Sequence, residues 1–96
     1  MLTHEKIVTA VESASKRFPV KSARYFGSYA NGQASETSDL DLLVEFTEPV
    51  VSLLTIAGLK YALEEELRVP VDVIHAPLPD TALIQIDSTV TAYEAA

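Results

Sequence analysis

The stretch GSYANGQASETSDLDL, residues 27–42, contains the feature from which the rest of the chain can be interpreted. It begins with a turn at Gly27 and Ser28 and ends with Asp39 and Asp41, placed one residue apart where an apolar strand begins. Residues i and i+2 of a strand point to the same face, so we expect both carboxylates on one face. Like charges this close raise each other's pKa, and no basic residue is near in sequence, so the stretch predicts a bound cation.

Length and composition favour one folded domain. The chain has 96 residues, of which 48% are hydrophobic and 22% are charged, an ordinary globular composition. A chain of this length builds one modest core, so we expect a single domain over residues 1–96. Since this leaves no room for a separate substrate-binding domain, we expect any bulky acceptor to be another chain.

Charge and residue usage disfavour several classes of partner and site. Seven basic residues against 14 acidic ones give a net charge of −7, which disfavours direct contact with nucleic acid. With no cysteine and only two histidines, disulfides and thiolate or histidine-rich zinc sites are not expected. No apolar run is long enough to span a membrane, and charges interrupt the N-terminal segment, so we expect a cytoplasmic protein without a membrane partner.

Apolar periodicity predicts a layered α/β arrangement in the first half of the chain. Thr3 is placed to cap a first helix that Pro19 would end, and its apolar face is formed by Ile7, Ala10, Val11, Ala14 and Phe18. A short strand is predicted over residues 23–26, a brief helix over 28–34, and a second strand over 40–46.

In the second half, the longest predicted helix covers residues 52–68, with an apolar face formed by Leu53, Ile56, Ala57, Leu63 and Leu67. A third strand is predicted over residues 69–74, where Pro70 indicates an edge strand or a strand start. A turn over residues 76–80, a short helix capped by Asp80, and a last strand or frayed tail over 89–94 complete the chain.

A third carboxylate, Asp72, lies in the third predicted strand. If this strand pairs with the strand that carries Asp39 and Asp41, three aspartates converge. Carboxylate oxygens suit Mg²⁺, and two such ions can clamp the attacking and leaving oxygens of a displacement at phosphorus. The Gly27 turn would add free backbone N–H groups and the Ser28 hydroxyl, which together form an anion site suited to phosphate.

Each motif alone also has a simpler interpretation. Gly-Ser is usually only a turn, and Asp-x-Asp is usually an exposed strand face or a cap. A calcium-binding loop is disfavoured because Leu, Leu and Val follow Asp41, where such a loop needs a glycine and further oxygen ligands. The combination and the order of the motifs therefore favour the catalytic interpretation.

In this layout the chain resembles the minimal nucleotidyltransferases of the DNA polymerase beta superfamily. Their signature is a Gly-Ser followed after a short loop by Asp-x-Asp, with a third carboxylate on a later strand. Gly27, Ser28, Asp39, Asp41 and Asp72 match these positions, and the resemblance extends over nearly the whole chain. It implies a fold of class α/β (α+β), with a mixed, twisted sheet of three to four strands backed by helices.

The resemblance also implies roles for these residues. Asp39 and Asp41 would bind two Mg²⁺ ions, while Asp72 would complete one metal site and help to deprotonate the acceptor hydroxyl. Ser28 and the amides near Gly27 would hold the triphosphate of the substrate ATP. The acceptor hydroxyl would attack the α-phosphorus, so that AMP is transferred and pyrophosphate released, with catalysis by positioning and charge neutralisation.

One position departs from the family pattern. Asn31, in GSYANG, stands where the family often has an arginine, which implies that Asn31 borders the nucleotide-binding site. An amide cannot grip phosphate in two places as a guanidinium does, so nucleotide affinity or turnover is expected to be lower. Asn31 has an alternative interpretation as a helix-end residue followed by Gly32 as the stop.

Small stand-alone members of this family are similar to the antitoxins of prokaryotic toxin–antitoxin pairs. The resemblance implies that the chain transfers AMP to a tyrosine of a HEPN-type toxin in the cytoplasm and silences it. Two alternatives remain: a catalytically inactive binding module that neutralises its partner by occlusion, and a nucleotide-binding regulatory subunit without transfer chemistry. Asn31 motivates the occlusion alternative.

Four other features are given structural interpretations. His4 and His75 have no partner at ligand or catalytic spacing, so we expect both to be structural or exposed to solvent. Tyr29 could stack on a base or pack against the first helix. The acidic run in LEEELR is most simply a solvated helix face, although it could meet a basic partner.

Overall fold

The computed structural model describes residues 2–35, 37–76 and 89–95, which form two helices and four strands. In chain order the elements are α1 (His4–Ser15), β1 (Val20–Phe26), a 3₁₀ turn (Gly27–Tyr29), β2 (Leu40–Phe46), α2 (Leu53–Leu67), β3 (Val71–Ala76) and β4 (Val90–Glu94). Neither described helix is both long and apolar enough to span a membrane.

The four strands form one sheet in the order β3-β2-β1-β4. β1 pairs antiparallel with both β2 and β4, while β2 pairs parallel with β3. The mixed sheet of four strands confirms the predicted fold class. The register places Asp41 opposite Phe26 of β1 on one side and opposite Asp72 of β3 on the other.

Both helices pack against the same face of this sheet and share one core with it. On β2 the alternation is strict: Leu40 and Leu42 are fully buried, while Asp41 between them is only partly buried on the opposite face. Truncation of the fully buried Leu42 to alanine would cost about 2–5 kcal/mol of folding free energy. Burial of the leucines therefore fixes the face from which Asp41 projects.

The first helix begins as predicted and ends earlier. The Thr3 side chain accepts a hydrogen bond from the Lys6 N–H, which confirms the N-cap, and the four predicted core residues within α1 are buried. The prediction that Pro19 ends the helix is wrong, because α1 ends at Ser15 and a turn follows. Phe18, which precedes Pro19 and is therefore disfavoured in helical geometry, lies beyond the end of α1 and packs beside Gly58 of α2.

The brief helix predicted over residues 28–34 is reduced to the single 3₁₀ turn. Gly32 has φ of +72°, a left-handed conformation that cannot continue a right-handed helix. The helix N-terminus expected to bind phosphate is therefore only one turn long.

Helix α2 matches its prediction closely, and Ser52 caps it by accepting a hydrogen bond from the Thr55 N–H. Gly58 does not interrupt the helix. Placement of Leu53 on the buried face is wrong, because this side chain is 83% exposed. Leu53 is the first helical residue, whereas the first fully buried residue of α2 is Leu59, which is 1% exposed.

The edge position of β3 and the placement of Pro70 just before it are confirmed, although β3 begins two residues later than predicted. Proline has no N–H to donate to the sheet, so pairing starts after it. The last strand is confirmed as β4. The turn over residues 76–80, beyond Ala76, and the helix predicted after Asp80 lie outside the described residues.

Candidate active site

The carboxylate pair of Asp41 and Asp72 is the centre of the candidate site. The two residues are direct register partners on adjacent parallel strands, so the predicted pairing of these strands is confirmed. Asp41 is partly buried and Asp72 is exposed. Asp39 lies in the loop just before β2 rather than within it, and it is exposed.

The electrostatic environment of Asp41 includes the charges of the other two carboxylates. The pKa of Asp41 is raised, mainly because partial burial disfavours its charged form, and then because of the negative charges of Asp72 and Asp39. Side-chain hydrogen bonding with Asp72 acts in the same direction. Among the described residues, an ion pair joins Lys21 to Glu45, and no basic side chain forms an ion pair with these aspartates.

The donor chemistry of this group fits a hard divalent cation. A carboxylate that is partly buried beside two others favours either a bound proton or a bound cation, and Mg²⁺ prefers such oxygen ligands. In the described part of the chain, no three His, Cys, Asp or Glu side chains already surround a common point as metal ligands. The assignment of Asp39, Asp41 and Asp72 as metal ligands therefore stays a prediction.

Gly27 brings the Gly-Ser turn directly against Asp41. It has φ of +71°, and a Cβ built on it would lie 2.7 Å from Asp41 Oδ2. A side chain at this position would be strained by the backbone and would collide with the carboxylate. Glycine is thus required here for two independent reasons, and it fixes the turn beside the carboxylate pair.

The turn is closed by its own backbone. The N–H groups of Ala30 and Asn31 donate to the Gly27 carbonyl at 3.1 and 3.0 Å, and the Gln33 N–H donates to the Ser28 carbonyl at 2.9 Å. Ser28 is partly buried, and no hydrogen bond joins its hydroxyl to another described side chain. Asn31 is exposed. Ser28 therefore lies at the turn that contacts Asp41, as predicted, while its role in phosphate binding stays a prediction.

Tyr29 packs against the hydrophobic core, which favours the packing interpretation over base stacking. Its hydroxyl is buried without a hydrogen-bond partner among the described residues. Both histidines have structural contacts. His4 Nδ1 lies 2.8 Å from the Tyr25 hydroxyl, and the His75 ring meets the Phe46 ring edge-on at 5.1 Å between centroids.

Sequence reasoning missed a positioning contact on α2. Glu64, interpreted above as part of a solvated face, is partly buried, and its Oε2 accepts a hydrogen bond from the Val71 N–H at 2.9 Å. The Leu40 N–H donates to the Pro70 carbonyl at 2.9 Å. These bonds fix the start of β3, and hence Asp72, against both α2 and β2. An acidic run on a helix gave no signal for this contact.

Comparison with known proteins gives a consistent result. A family model for the nucleotidyltransferase domain matches residues 5–90. A Methanocaldococcus jannaschii protein, provisionally named a protein adenylyltransferase, is 52% identical over 69 residues, which cover 67% of this chain and 73% of the relative. The protein adenylyltransferase MntA of Thermococcus cleftensis is 41% identical over 78 residues, covering 77% of this chain and 78% of its own length. Across three relatives from Methanocaldococcus jannaschii, the match spans 59% to 73% of each relative's length.

Among solved structures, a crystal structure of a toxin–antitoxin with AMP-PNP is similar to this chain with a TM-score of 0.75. The similarity covers 98% of this chain and 75% of the matched chain at 21% identity, and it shows a common fold. The fold, the family match and the aspartates beside the Gly-Ser turn all agree with the predicted resemblance. The chain belongs to the nucleotidyltransferase domain family.

Proposed function

We propose that this chain is a Mg²⁺-dependent enzyme that transfers AMP from ATP to a tyrosine of a partner HEPN-type toxin and thereby acts as the antitoxin. In this proposal residues 1–96 act as one minimal nucleotidyltransferase domain in a prokaryotic cytoplasm. The observation that carries it is the cross-strand pair of Asp41 and Asp72 beside the Gly27 turn. The names of the relatives support the reaction, and the toxin–antitoxin neighbour with AMP-PNP supports the partner class and the nucleotide.

Asp39, Asp41 and Asp72 would hold the metal. Bound Mg²⁺ would supply the positive charge that offsets both the carboxylates and the phosphate oxygens. The protein's own contribution is to keep the carboxylates together. Burial of the leucines on either side of Asp41 and the bond from Val71 to Glu64 hold the two strands in register, so little reorganisation is needed when charge develops.

In the transfer step, the acceptor hydroxyl oxygen forms a bond to the α-phosphorus of ATP. The bond from that phosphorus to the bridging oxygen breaks, and pyrophosphate leaves. The hydroxyl proton passes to a carboxylate, and Asp72 is our candidate because it is exposed to an incoming acceptor whereas Asp41 is partly buried. Ser28 and the backbone near Gly27 would orient the triphosphate.

Asn31 supports a second candidate, an inactive nucleotidyltransferase fold that neutralises its partner by occlusion. The amide provides no positive charge to the phosphates, so ground-state and transition-state binding would both be weaker than with arginine. The two candidate functions differ in whether the carboxylates are needed to neutralise the partner toxin.

The test uses ATP labelled on its α-phosphate, Mg²⁺, and a purified HEPN-type protein encoded beside this chain. Wild type is compared with Asp41→Asn and with Glu12→Gln, a control that removes an exposed carboxylate on α1. We expect label on a tyrosine of the partner with wild type and control. With Asp41→Asn, transfer should fall on the order of a thousandfold, as when an electrostatic group of an active site is removed.

Mass spectrometry of the labelled partner would locate the AMP. Equal labelling by Asp41→Asn and wild type would rule out the proposed catalytic role. Absence of labelling, together with full inhibition of the partner by both proteins, would establish the occlusion candidate instead.

A further inference from the structure

An exposed apolar patch lies at the end of β2 that is remote from the aspartates. Val50, Leu53 and Leu54 are 80%, 83% and 85% exposed, and we call these three residues the apolar patch. They form the loop after β2 and the first turn of α2. Isolated exposed apolar residues are common, but three large side chains within five positions mark a surface that loses water when a partner binds.

An acidic pocket adjoins this patch. It has a volume of about 300 Å³ and is lined by Glu45, Phe46, Glu48, Pro49, His75 and Ala76. Glu45 is already paired with Lys21 at 3.2 Å, whereas Glu48 has no ion-pair partner among the described residues. Pro49 lines the pocket and Val50 follows it in the chain, so the acidic pocket and the apolar patch meet at this point of the chain.

The geometry points to a docking surface for a partner protein that presents a lysine or arginine beside apolar side chains. The basic side chain enters the acidic pocket and meets Glu48, and the apolar side chains cover the patch. Identification of this partner with the AMP acceptor rests on the proposed function; the docking surface itself does not.

Docking at this surface leaves the candidate active site open. Asp41 and Phe46 are separated by five residues along β2, a distance of about 17 Å at the usual rise of a strand. A protein surface readily spans this distance, because a standard interface buries about 800 Å² on each partner. One partner can therefore rest on the apolar patch while a hydroxyl of the same chain reaches the aspartates.

Charge favours a basic partner over the other occupants. In a two-fold pairing of this surface with itself, the two copies of the acidic pocket would lie on facing surfaces, and their carboxylates would repel. Anionic lipids and nucleic acid carry the same sign of charge as Glu48 and as the chain, whose net charge is −7. A surface that is both apolar and acidic is complementary to one that is apolar and basic.

The experiment is an NMR titration of the ¹⁵N-labelled full chain. The probe is an amphipathic peptide of leucine and arginine, and its matched control has glutamate in place of arginine. Each is added to wild type, to Glu48→Gln and to Leu54→Ser. Two further variants control for loss of charge and of exposed apolar surface elsewhere: Glu12→Gln on α1, and Tyr61→Ser, two turns further along α2.

We expect the arginine peptide to shift the amides of the apolar patch and of the acidic pocket, and the glutamate peptide to shift neither. Each docking variant should weaken binding of the arginine peptide about tenfold, as truncation of a central interface residue does, while the two controls bind like wild type. All four positions are exposed, and the spectra themselves report whether the fold is kept.

Equal binding of both peptides, shifts located elsewhere, or equal loss in the control variants would overturn the proposal. Concentration-dependent shifts of the same amides without peptide would assign the surface to a second copy of the chain, and binding to phosphatidylserine vesicles would assign it to a membrane. The titration contains no ATP, so failure of AMP transfer and failure of docking are seen separately.

Discussion

The two ends of β2 place opposite demands on their side chains. At its N-terminal end, Asp41 lies so close to the turn that a single Cβ on Gly27 would lie 2.7 Å from its carboxylate. Beyond its C-terminal end, in the first turn of α2, Leu53 and Leu54 have more than four-fifths of their surface in water. A small change in side-chain size should therefore disturb the structure strongly at the first end and only slightly at the second.

This difference predicts that the first end of β2 controls the rate of AMP transfer and the second end controls the affinity for a partner. Groups held at close quarters act on the reacting atoms, where a misplacement of about 1 Å can cost a hundredfold in rate. Exposed groups act on the encounter with a partner, and their loss changes how tightly the partner is held. Substitutions at the two ends should thus affect different kinetic constants.

Among the substitutions that compare the two ends of β2 without removing a carboxylate, the largest effect is expected from Gly27→Ala. The new methyl group displaces the Asp41 carboxylate, so kcat for AMP transfer should fall about a hundredfold. Gly32→Ala is the matched control, because Gly32 has nearly the same φ, +72° against +71°, but nothing within 4 Å of its Cβ position. Both variants should lose about 1 kcal/mol of folding free energy through backbone strain. Transfer assays and thermal unfolding of both variants measure the two effects.

Equal loss of activity in both glycine variants would contradict this expectation. Backbone strain alone would then explain the loss, and the approach of Gly27 to Asp41 would have no special role in catalysis.

An intermediate effect is expected at the opposite end of β2. Leu54→Ser should raise KM for the acceptor protein about tenfold and leave kcat nearly unchanged, because it removes contact area from docking and nothing from the reacting atoms. Tyr61→Ser, on the same helix but outside the apolar patch, should match wild type. A fall in kcat for Leu54→Ser would show that the two ends of β2 do not act independently on kcat and KM. Steady-state kinetics with varied acceptor concentration decides this.

The smallest effect concerns stability and pH in the metal-free protein. The pKa of Asp41 is raised, first by burial and then by Asp72 and Asp39, so the folded chain binds this proton more tightly than the unfolded chain does. That contribution to stability is present below the ordinary aspartate pKa of 3.8 and is lost as pH rises through the raised pKa. Asp41→Asn cannot ionise, so its melting temperature should exceed that of wild type increasingly as pH rises from 3.8 through the raised pKa, and the difference should then level off.

Thermal unfolding in the presence of a chelator, at several pH values, measures this difference. Added Mg²⁺ should stabilise wild type more than Asp41→Asn, so the difference between their melting temperatures should become smaller. If the difference in melting temperature did not vary with pH, ionisation of Asp41 would not destabilise the fold. The control Glu12→Gln should melt at the same temperature as wild type at every pH.

Local pattern predicted the elements around the site well. The alternation in LDLLVEF located β2 at both ends, because leucines buried on one face leave no freedom in its register. Thr3 was readable as a cap from short-range chemistry. The convergence of Asp41 and Asp72 followed once these two strands were assumed to pair.

Features that depend on distant contacts could not be read in this way. Periodicity placed Leu53 in the core, but Leu53 is the first residue of α2 and is exposed, and the fully buried positions of this helix begin only at Leu59. Glu64 looked like a solvated residue until the start of β3 supplied its donor. Strand pairing makes Asp72 the register partner of Asp41, whereas Asp39, only two positions away in sequence, lies outside β2.

The parallel pairing of β2 with β3 has a consequence for how the molecule folds. Parallel neighbours cannot be joined by a tight hairpin, so the chain must first cross over through α2, and the paired aspartates are 31 positions apart in sequence. Contacts between such distant positions form slowly, because the intervening chain must be ordered before they stabilise it. The antiparallel pair of β1 and β2 already brings Gly27 to Asp41, so we expect half of the site to appear early and Asp72 to join it only when the crossover is complete.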